Sequence, residues 1–280
     1  ESHPSDGIFV KRQIEALRQK HSELVVQVCY IDTVRSKLAY IFGAWKVWRA
    51  SRSFKPDSVH IHYGLTRLVS WPLYWKPSVI TFHGSDLTIP WQRRISTFWL
   101  PKHARLIVVA EQLKEHLPIR ARGQVKVIPC GVIAEIFAID RAQARQNMNF
   151  AESEKIVLFG ANPNRKVKRF DRFEKAIAKL AAADKSIRVA KLSDVPVTKV
   201  PDLIAAADVL VLTSDREGSP IVTKEALCAG TRVVSTPVGD VAAQVTGFTG
   251  CRVSGWSSEE LATEIQTVFK EICPNRVKAA

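Results

Sequence analysis

The sequence predicts an α/β protein of two doubly wound, parallel-sheet lobes. Three observations carry that expectation. Short runs rich in Val and Ile alternate with amphipathic stretches almost throughout the 280 residues. Most of those runs do not alternate apolar and polar, which is how strands buried on both faces of a parallel sheet read. Hydrophobic residues make up 46% and charged residues 24%, so the chain is globular rather than fibrous or disordered as a whole.

The expected strands, in order, are Glu23–Tyr30, Asp57–His62, Ser78–Phe82, Arg105–Ala110 and Gln124–Pro129, then Lys155–Phe159, Ile187–Leu192, Asp208–Thr213, Arg232–Ser235 and Gly250–Val253. Helices are expected at Ile8–Lys20, Phe170–Ala183, Pro220–Ala229 and Ser258–Ile272. The last carries Leu261, Ile265, Phe269 and Ile272 at helical spacing. Strand–helix repeats of this kind build doubly wound sheets. Ten strands suit two sheets better than one. The stretch 131–154 has no strand pattern, so the lobes are expected at 1–136 and 137–280, as Rossmann-like units facing a cleft at their strands' carboxyl ends. The chain opens at the turn Pro4-Ser-Asp-Gly7 and passes straight into a helix. The usual first strand of the first lobe is therefore expected to be absent, either because the sheet does without it or because the sequence has lost its first residues.

Lys and Arg number 41 against 27 Asp and Glu, a net charge of +14. The excess is lopsided: residues 1–150 hold 22 basic and 11 acidic residues, residues 151–280 hold 19 and 16. An acidic partner is expected for the first half. The five cysteines, Cys29, Cys130, Cys228, Cys251 and Cys273, have no CxxC spacing. Neither a disulfide framework nor a zinc site is indicated, and a reducing, cytoplasmic setting is the simpler expectation. No apolar run approaches the ~20 residues of a spanning helix. No signal peptide opens the sequence. Six of the seven tryptophans fall in the first half: Trp45, Trp48, Trp71, Trp75, Trp91 and Trp99, several beside cations. That composition suits an anionic membrane surface. Single-stranded nucleic acid and plain core packing are the alternatives. His60 and His62 share a strand face, but no further ligand lies nearby in sequence, so they are read as cleft-edge or packing residues and no metal site is expected.

The strongest motif is Glu217-Gly-Ser-Pro-Ile-Val-Thr-Lys-Glu225-Ala-Leu-Cys-Ala-Gly230. Ser219 reads as a helix N-cap, Pro220 as its first residue and Gly230 as the residue that closes it. The helix N-terminus would offer free N–H groups to a phosphate. Glu217 could reach what hangs from that phosphate, and Glu225 could accept hydrogen bonds from a ribose. The plain alternative is a well-capped helix with two solvated glutamates. A second loop, Gly160-Ala-Asn-Pro-Asn-Arg165-Lys-Val-Lys168-Arg-Phe-Asp171, follows a strand and is dense in cations that could hold a diphosphate leaving group. Its alternative is a basic surface turn. Thr81-Phe-His83-Gly-Ser-Asp86 puts a histidine at a strand end.

The first of these segments, with its surroundings from Val200 to Gly239, resembles the E-x7-E signature of the retaining, nucleotide-sugar-dependent glycosyltransferases of family 4, which have the GT-B fold. The resemblance runs over nearly the whole chain and is strongest from Ile156 to Val253. It implies that Glu225 binds the ribose and Glu217 contacts the donor sugar, while the backbone of Gly218, Ser219, Pro220, Ile221 and Val222 lines the diphosphate and sugar site. It implies that Lys168 and Arg165 clamp the diphosphate, although Ala161 fills the place where the family's arginine usually stands. His83 matches the family's donor-sugar histidine, and Gly7 its turn beside the phosphates. Ile133 replaces the family's usual aspartate after Ile128-Pro-Cys-Gly-Val132.

The function expected is therefore transfer of a sugar from a nucleotide-sugar to a glycan, lipid-linked or other hydroxyl acceptor with retention of anomeric configuration, in synthesis of a cell-surface polysaccharide or glycolipid. No cofactor, metal or nucleic acid is expected. The expected place is the cytoplasm, peripheral on the membrane face. The alternatives are a non-catalytic GT-B relative that binds a nucleotide-sugar or polyanion, and a GT-B sugar-nucleotide epimerase or phosphorylase.

Overall fold

The computed structural model describes residues 7–31 and 39–271. The chain divides into two compact units, before and after the Gly131–Val132 bond. Unit 1 contains helices α1 (Ile8–Lys20) and α2 (Ala39–Phe54), strands β1 (Val59–His62) and β2 (Ser78–Phe82), helices α3 (Ser85–Thr88) and α4 (Pro90–Thr97), strand β3 (Arg105–Val108), helix α5 (Ile119–Arg122) and strand β4 (Val125–Val127). Its sheet runs β1-β2-β3-β4, all parallel. Ile80, Phe82, Leu106, Val108 and Leu113 fill the core beside it.

Unit 2 contains α6 (Ala134–Phe137), α7 (Arg141–Met148), β5 (Lys155–Phe159), α8 (Phe170–Ala183), β6 (Ile187–Lys191), α9 (Val200–Ala206), β7 (Val209–Leu212), α10 (Ile221–Cys228), β8 (Arg232–Ser235), α11 (Val241–Val245), β9 (Arg252–Val253) and α12 (Ser258–Lys270). The sheet order is β6-β5-β7-β8-β9, again parallel. Successive residues of one strand feed opposite layers, as the period of two requires. Ile156 and Leu158 join Leu210 and Val233 on one face. Val157 and Phe159 join Val209, Val211 and Val234 on the other. That double burial explains why these strands are continuously apolar.

Nine of the ten expected strands are present, within two residues at each end. The exception is Glu23–Tyr30, which forms no strand. Its carbonyls are taken by side chains instead: Arg18 Nη2 donates to Val26 O at 2.8 Å and Lys46 Nζ to Tyr30 O at 3.0 Å. Leu24, Val25 and Tyr30 stay exposed. An apolar run becomes a strand only where a neighbouring strand completes its ladder. Among the described residues no strand precedes Val59.

The unit boundary falls five residues before the expected position of 136. Short helix α6 belongs to unit 2 because Phe137 is fully buried in that unit's core. Helix α7 is anchored there too, since the buried Arg145 pairs with Asp208 at 2.7 Å and donates to Ala151 O and Glu154 O. Helix α12 opens with a capping box between Ser257 and Glu260. Its expected last residue, Ile272, lies outside the described residues, as do Pro4, Ser5, Asp6 and Cys273. No described helix is long and apolar enough to cross a membrane.

Candidate functional site

In unit 2 the loops after β5 and β7 close on each other. Thr213 Oγ1, just past β7, donates to the carbonyls of Lys168 and Arg169 at 2.7 and 2.9 Å. Asp215 N donates to Val167 O at 2.9 Å. These bonds bring the side chains of Lys168 and Glu217 together, with Nζ 2.6 Å from Oε1. Ser214 Oγ donates to the same carboxylate oxygen at 2.6 Å. The pair is largely enclosed: Lys168 is 15% exposed and Glu217 13%.

A second tier of charge lies beneath it. Arg169 sits at φ 50° and pairs with Asp171 and Asp215. This doubly bonded Arg169 guanidinium draws the Asp171 carboxyl down to about 2. Arg172, nearly buried, donates to Thr213 O at 2.7 Å and to Asp215, and lies over the Trp256 ring. Arg165 is exposed on the same loop and makes no side-chain hydrogen bond or ion pair among the described residues.

The Glu217 segment leads into α10. The structure corrects the expected cap. Pro220, in extended conformation, is the N-cap, and no side chain caps the helix. Ser219 Oγ instead accepts from Gln244 Nε2 on α11 at 3.2 Å, so it is held by tertiary packing. Its hydroxyl does not cap the first N–H groups of α10. Gly218 and Pro220 are buried, Ile221 is half-buried, and Val222 packs on the core. Glu225 lies on α10 just beyond its first turn and is half-buried. Gly230 follows the C-cap at φ 71°, as a closing glycine should.

Gly239 has φ 54°, and a Cβ built on it would lie 2.4 Å from Gly218 O and 3.2 Å from Glu217 Cβ. The loop after β8 therefore supports the Glu217–Gly218 backbone from behind, and only glycine allows that approach.

Unit 1 carries a different arrangement. Parallel pairing sets His62 beside Thr81, so His60, His62 and His83 form a row along one face of the sheet. The rings of His60 and His62 stack 4.1 Å apart, and those of His62 and His83 5.4 Å apart. His62 Nδ1 is 3.1 Å from His83 Nε2, and His60 Nε2 is 2.8 Å from Thr81 Oγ1. Cys130 Sγ lies 3.9 Å from His83 Nδ1. Phe9 on α1 sets its ring 4.7 Å from that of His83. Gly7 is the N-cap of α1 at φ 75°, a conformation that favours glycine.

Burial keeps the imidazoles of His62 and His83 neutral at pH 7. It pushes His83 down to about 4, and burial plus the neighbouring rings push His62 down to about 3. His60, at the open end of the row, is lowered by the same cause. The rings stack rather than converge on a point, and among the described residues no group of three His, Cys, Asp or Glu could hold a metal. Asp86 fixes the loop. Its carboxylate, 0% exposed, accepts from the backbone N–H groups of Gly64, His83 and Gly84. Burial raises its pKa and those N–H groups oppose the rise. Tyr63, at φ 74°, is held by Gln92 and Ser85 through its hydroxyl. Sequence reasoning did not single out Tyr63, Ser214, Arg172 or Gly239. A positive φ or a side-chain clamp leaves no local pattern; the HxH spacing was the one visible signal for the histidine row.

Comparison with known proteins adds what geometry alone does not give. The family described as glycosyl transferases group 1 matches residues 134–271, and glycosyltransferase family 4 matches residues 10–135. The chain is 26% identical over 217 residues to a Bacillus subtilis (strain 168) protein assigned as the teichuronic acid biosynthesis glycosyltransferase TuaC, a match spanning 68% of this chain and 55% of that relative. The chain thus spans about half the length of that curated relative. In fold it is similar to sucrose-phosphate synthase of Thermosynechococcus elongatus, with TM-score 0.70 and 18% identity over 86% of this chain and 71% of that one. It is similar also to Anabaena HepE, solved in complex with UDP and glucose, with TM-score 0.68 and 17% identity over 92% and 79%. With its two parallel α/β lobes of the GT-B kind and both halves matched, the chain belongs to the group 1, family 4 glycosyltransferases.

Proposed function

We propose that the chain transfers a sugar from a nucleotide-sugar donor to a hydroxyl acceptor with retention of configuration, in the building of a cell-surface polysaccharide or glycolipid. The observation that carries this reading is the enclosed Lys168–Glu217 pair beside the start of α10. An isolated structural pair would have no need of the glycine-backed loop and uncapped helix end next to it.

In this reading the donor diphosphate takes the ammonium of Lys168 away from Glu217, and Arg165 adds a second cation. As the bond from the anomeric carbon to the phosphate oxygen breaks, its electron pair goes to that oxygen. The two cations, once on the diphosphate, stabilise the growing negative charge. The backbone from Gly218 to Val222 and the first N–H groups of α10 line the diphosphate and sugar. Glu217, released, bonds a sugar hydroxyl, and Glu225 accepts from the ribose. The neutral imidazole of His83 bonds a further sugar hydroxyl. In the same reading Gly7, the N-cap of α1, stands beside the phosphates. The acceptor oxygen attacks the anomeric carbon on the face the phosphate leaves, and its proton passes to the departing phosphate. No protein nucleophile, metal or cofactor is required by this scheme.

The UDP and glucose held by HepE support UDP-sugars as the first donors to test. The likeness to TuaC supports a polysaccharide product. The place of action proposed is the cytoplasmic membrane face. Phe42, Trp45 and Trp48 on α2 are exposed, and Arg49 and Arg52 lie over the two indoles. Aromatic rings interleaved with cations suit an interface with anionic lipid.

The test is a thermal-shift screen against UDP-, GDP-, ADP- and dTDP-sugars, on the native chain and on Glu225→Ala. A ligand that binds only the folded state raises Tm by mass action. A rise with one nucleotide, lost in Glu225→Ala, is expected. No rise with any donor would sink the reading in favour of a non-catalytic relative. Turnover of the donor with no acceptor present would favour an epimerase.

A further inference from the structure

The faces of β1 and β2 opposite the histidine row line a cavity of about 330 Å³ within unit 1. Val59 and Ile61 of β1 and Ser78 and Ile80 of β2 form its floor, by the same period of two that puts His60, His62 and Thr81 on the other side. Its walls and mouth include Trp71, Trp75 and Trp99, which are 61%, 72% and 65% exposed. Three large indoles left open on one unit are more than the scattered apolar residues of an ordinary surface.

One charged residue lines this apolar space. Arg67 makes no side-chain hydrogen bond or ion pair among the described residues, and its Nη1 is buried without a partner. Burial lowers its pKa, and no carboxylate acts against that. An unpaired buried guanidinium N–H is costly unless an anion meets it. The pocket thus joins a hydrocarbon-lined space, at the small end of the range for ligand sites, to a single unsatisfied cation. That combination fits an amphiphile with an alkyl chain and an anionic head.

From these features we infer that the pocket takes one acyl chain of an anionic membrane phospholipid, with the lipid phosphate at Arg67. The inference rests on the membrane-face part of the proposed function and gives it a defined site. It places the lipid on the opposite sheet face from the histidine row, so the lipid anchors unit 1 and is not the reacting group. The exposed indoles at the mouth lie where a bilayer interface would receive them.

The test separates chain, charge and source. Calorimetry would follow binding of dodecyl phosphate below its micelle concentration, beside dodecanol and inorganic phosphate. The native chain is expected to bind one dodecyl phosphate, about tenfold or more tightly than either of the others. Ser78→Phe, which fills the floor, should weaken dodecyl phosphate about tenfold. Arg67→Gln, a change at a partly exposed side chain, should reduce it to the affinity of dodecanol. Circular dichroism would establish that each variant is folded; if Ser78→Phe is not, Arg67→Gln decides alone. Dodecyl phosphate that fails to bind, or binds both variants as well as the native chain, overturns the pocket. Co-sedimentation with phosphatidylglycerol vesicles is read in parallel. Loss of vesicle binding in the same two variants is expected. Vesicle binding unchanged by variants that no longer hold dodecyl phosphate overturns the bilayer as the source. Vesicle binding by the native chain, with no dodecyl phosphate bound, overturns the pocket and leaves the membrane reading standing.

Discussion

The two units solve the same problem, holding polar side chains at the ends of parallel strands, by opposite means. Unit 2 uses opposite charges: Lys168 with Glu217, and Arg169 and Arg172 with Asp215. Unit 1 uses neutral rings stacked at 4.1 and 5.4 Å and a single carboxylate ringed by backbone N–H groups. A charged clamp can exchange one partner for an arriving anion, since Coulomb attraction does not depend on shape. A neutral stack cannot, but it presents hydrogen-bonding atoms without attracting counter-ions. The difference predicts distinct responses to mutation and pH. Intrinsic fluorescence can read the units apart, because six of seven tryptophans lie in unit 1 and Trp256 is the single one in unit 2.

The largest expected effect is at Asp86. Asp86→Ala orphans the N–H groups of Gly64, Gly84 and His83, the first two in buried hydrogen bonds, and should cost about 4 kcal/mol, seen as a lower urea midpoint by tryptophan fluorescence. A loss under about 1 kcal/mol would mean water replaces the carboxylate, and the contrast between the units would weaken. Next is Gly239→Ala, with a positive φ and a Cβ 2.4 Å from Gly218 O. It should cost about 3 kcal/mol and weaken donor binding, whereas Gly123→Ala, with nothing within 4 Å, should do neither. Lys168→Ala leaves a mostly enclosed carboxylate without its cation and should cost about 2 kcal/mol. Lys168→Arg should restore stability more than it restores donor affinity.

Acid sharpens the comparison further. The histidines of unit 1 have folded pKa values depressed below the ordinary 6.5, to about 3 for His62 and about 4 for His83. As pH falls below 6.5 the unfolded chain takes up protons that the folded row refuses. The stability they contribute is therefore complete above pH 6.5 and declines as pH falls toward 4, by at most about 1.4 kcal/mol per pH unit for each histidine. Tryptophan-detected melting should show this slope, and His62→Gln should flatten it. The smallest effect is expected at the exposed Lys179–Glu259 pair. Lys179→Ala should change stability by less than about 0.5 kcal/mol.

The sheet of unit 2 was almost fully legible in the sequence, because its central strands β5 and β7 are buried on both faces and so read as continuous apolar runs. Glu23–Tyr30 shows the limit. Its apolar content looks like that of β5, yet a ladder needs a neighbour, and no local pattern reports one. The Lys168–Glu217 pair joins residues 49 positions apart. Motif resemblance placed Lys168 at the diphosphate and Glu217 at the donor sugar, but their direct contact follows from Thr213 binding the Lys168 carbonyl. The histidine row was legible only in part: the HxH spacing puts His60 and His62 on one face, but His62 meets His83 only through the register of β1 on β2. Ser219 was misread because a serine before a proline has good capping chemistry on paper, whereas Gln244 claims its hydroxyl in the fold.

The central claim is that the donor is held by the loops after β5 and β7 and the start of α10. Hydrogen exchange of the backbone amides with and without a UDP-sugar tests it most directly. The account predicts added protection at residues 160–169 and 214–222, with no change at the cavity-lining residues 67–75. Protection confined to other parts of unit 2, or absent at a donor concentration that raises Tm, would contradict it.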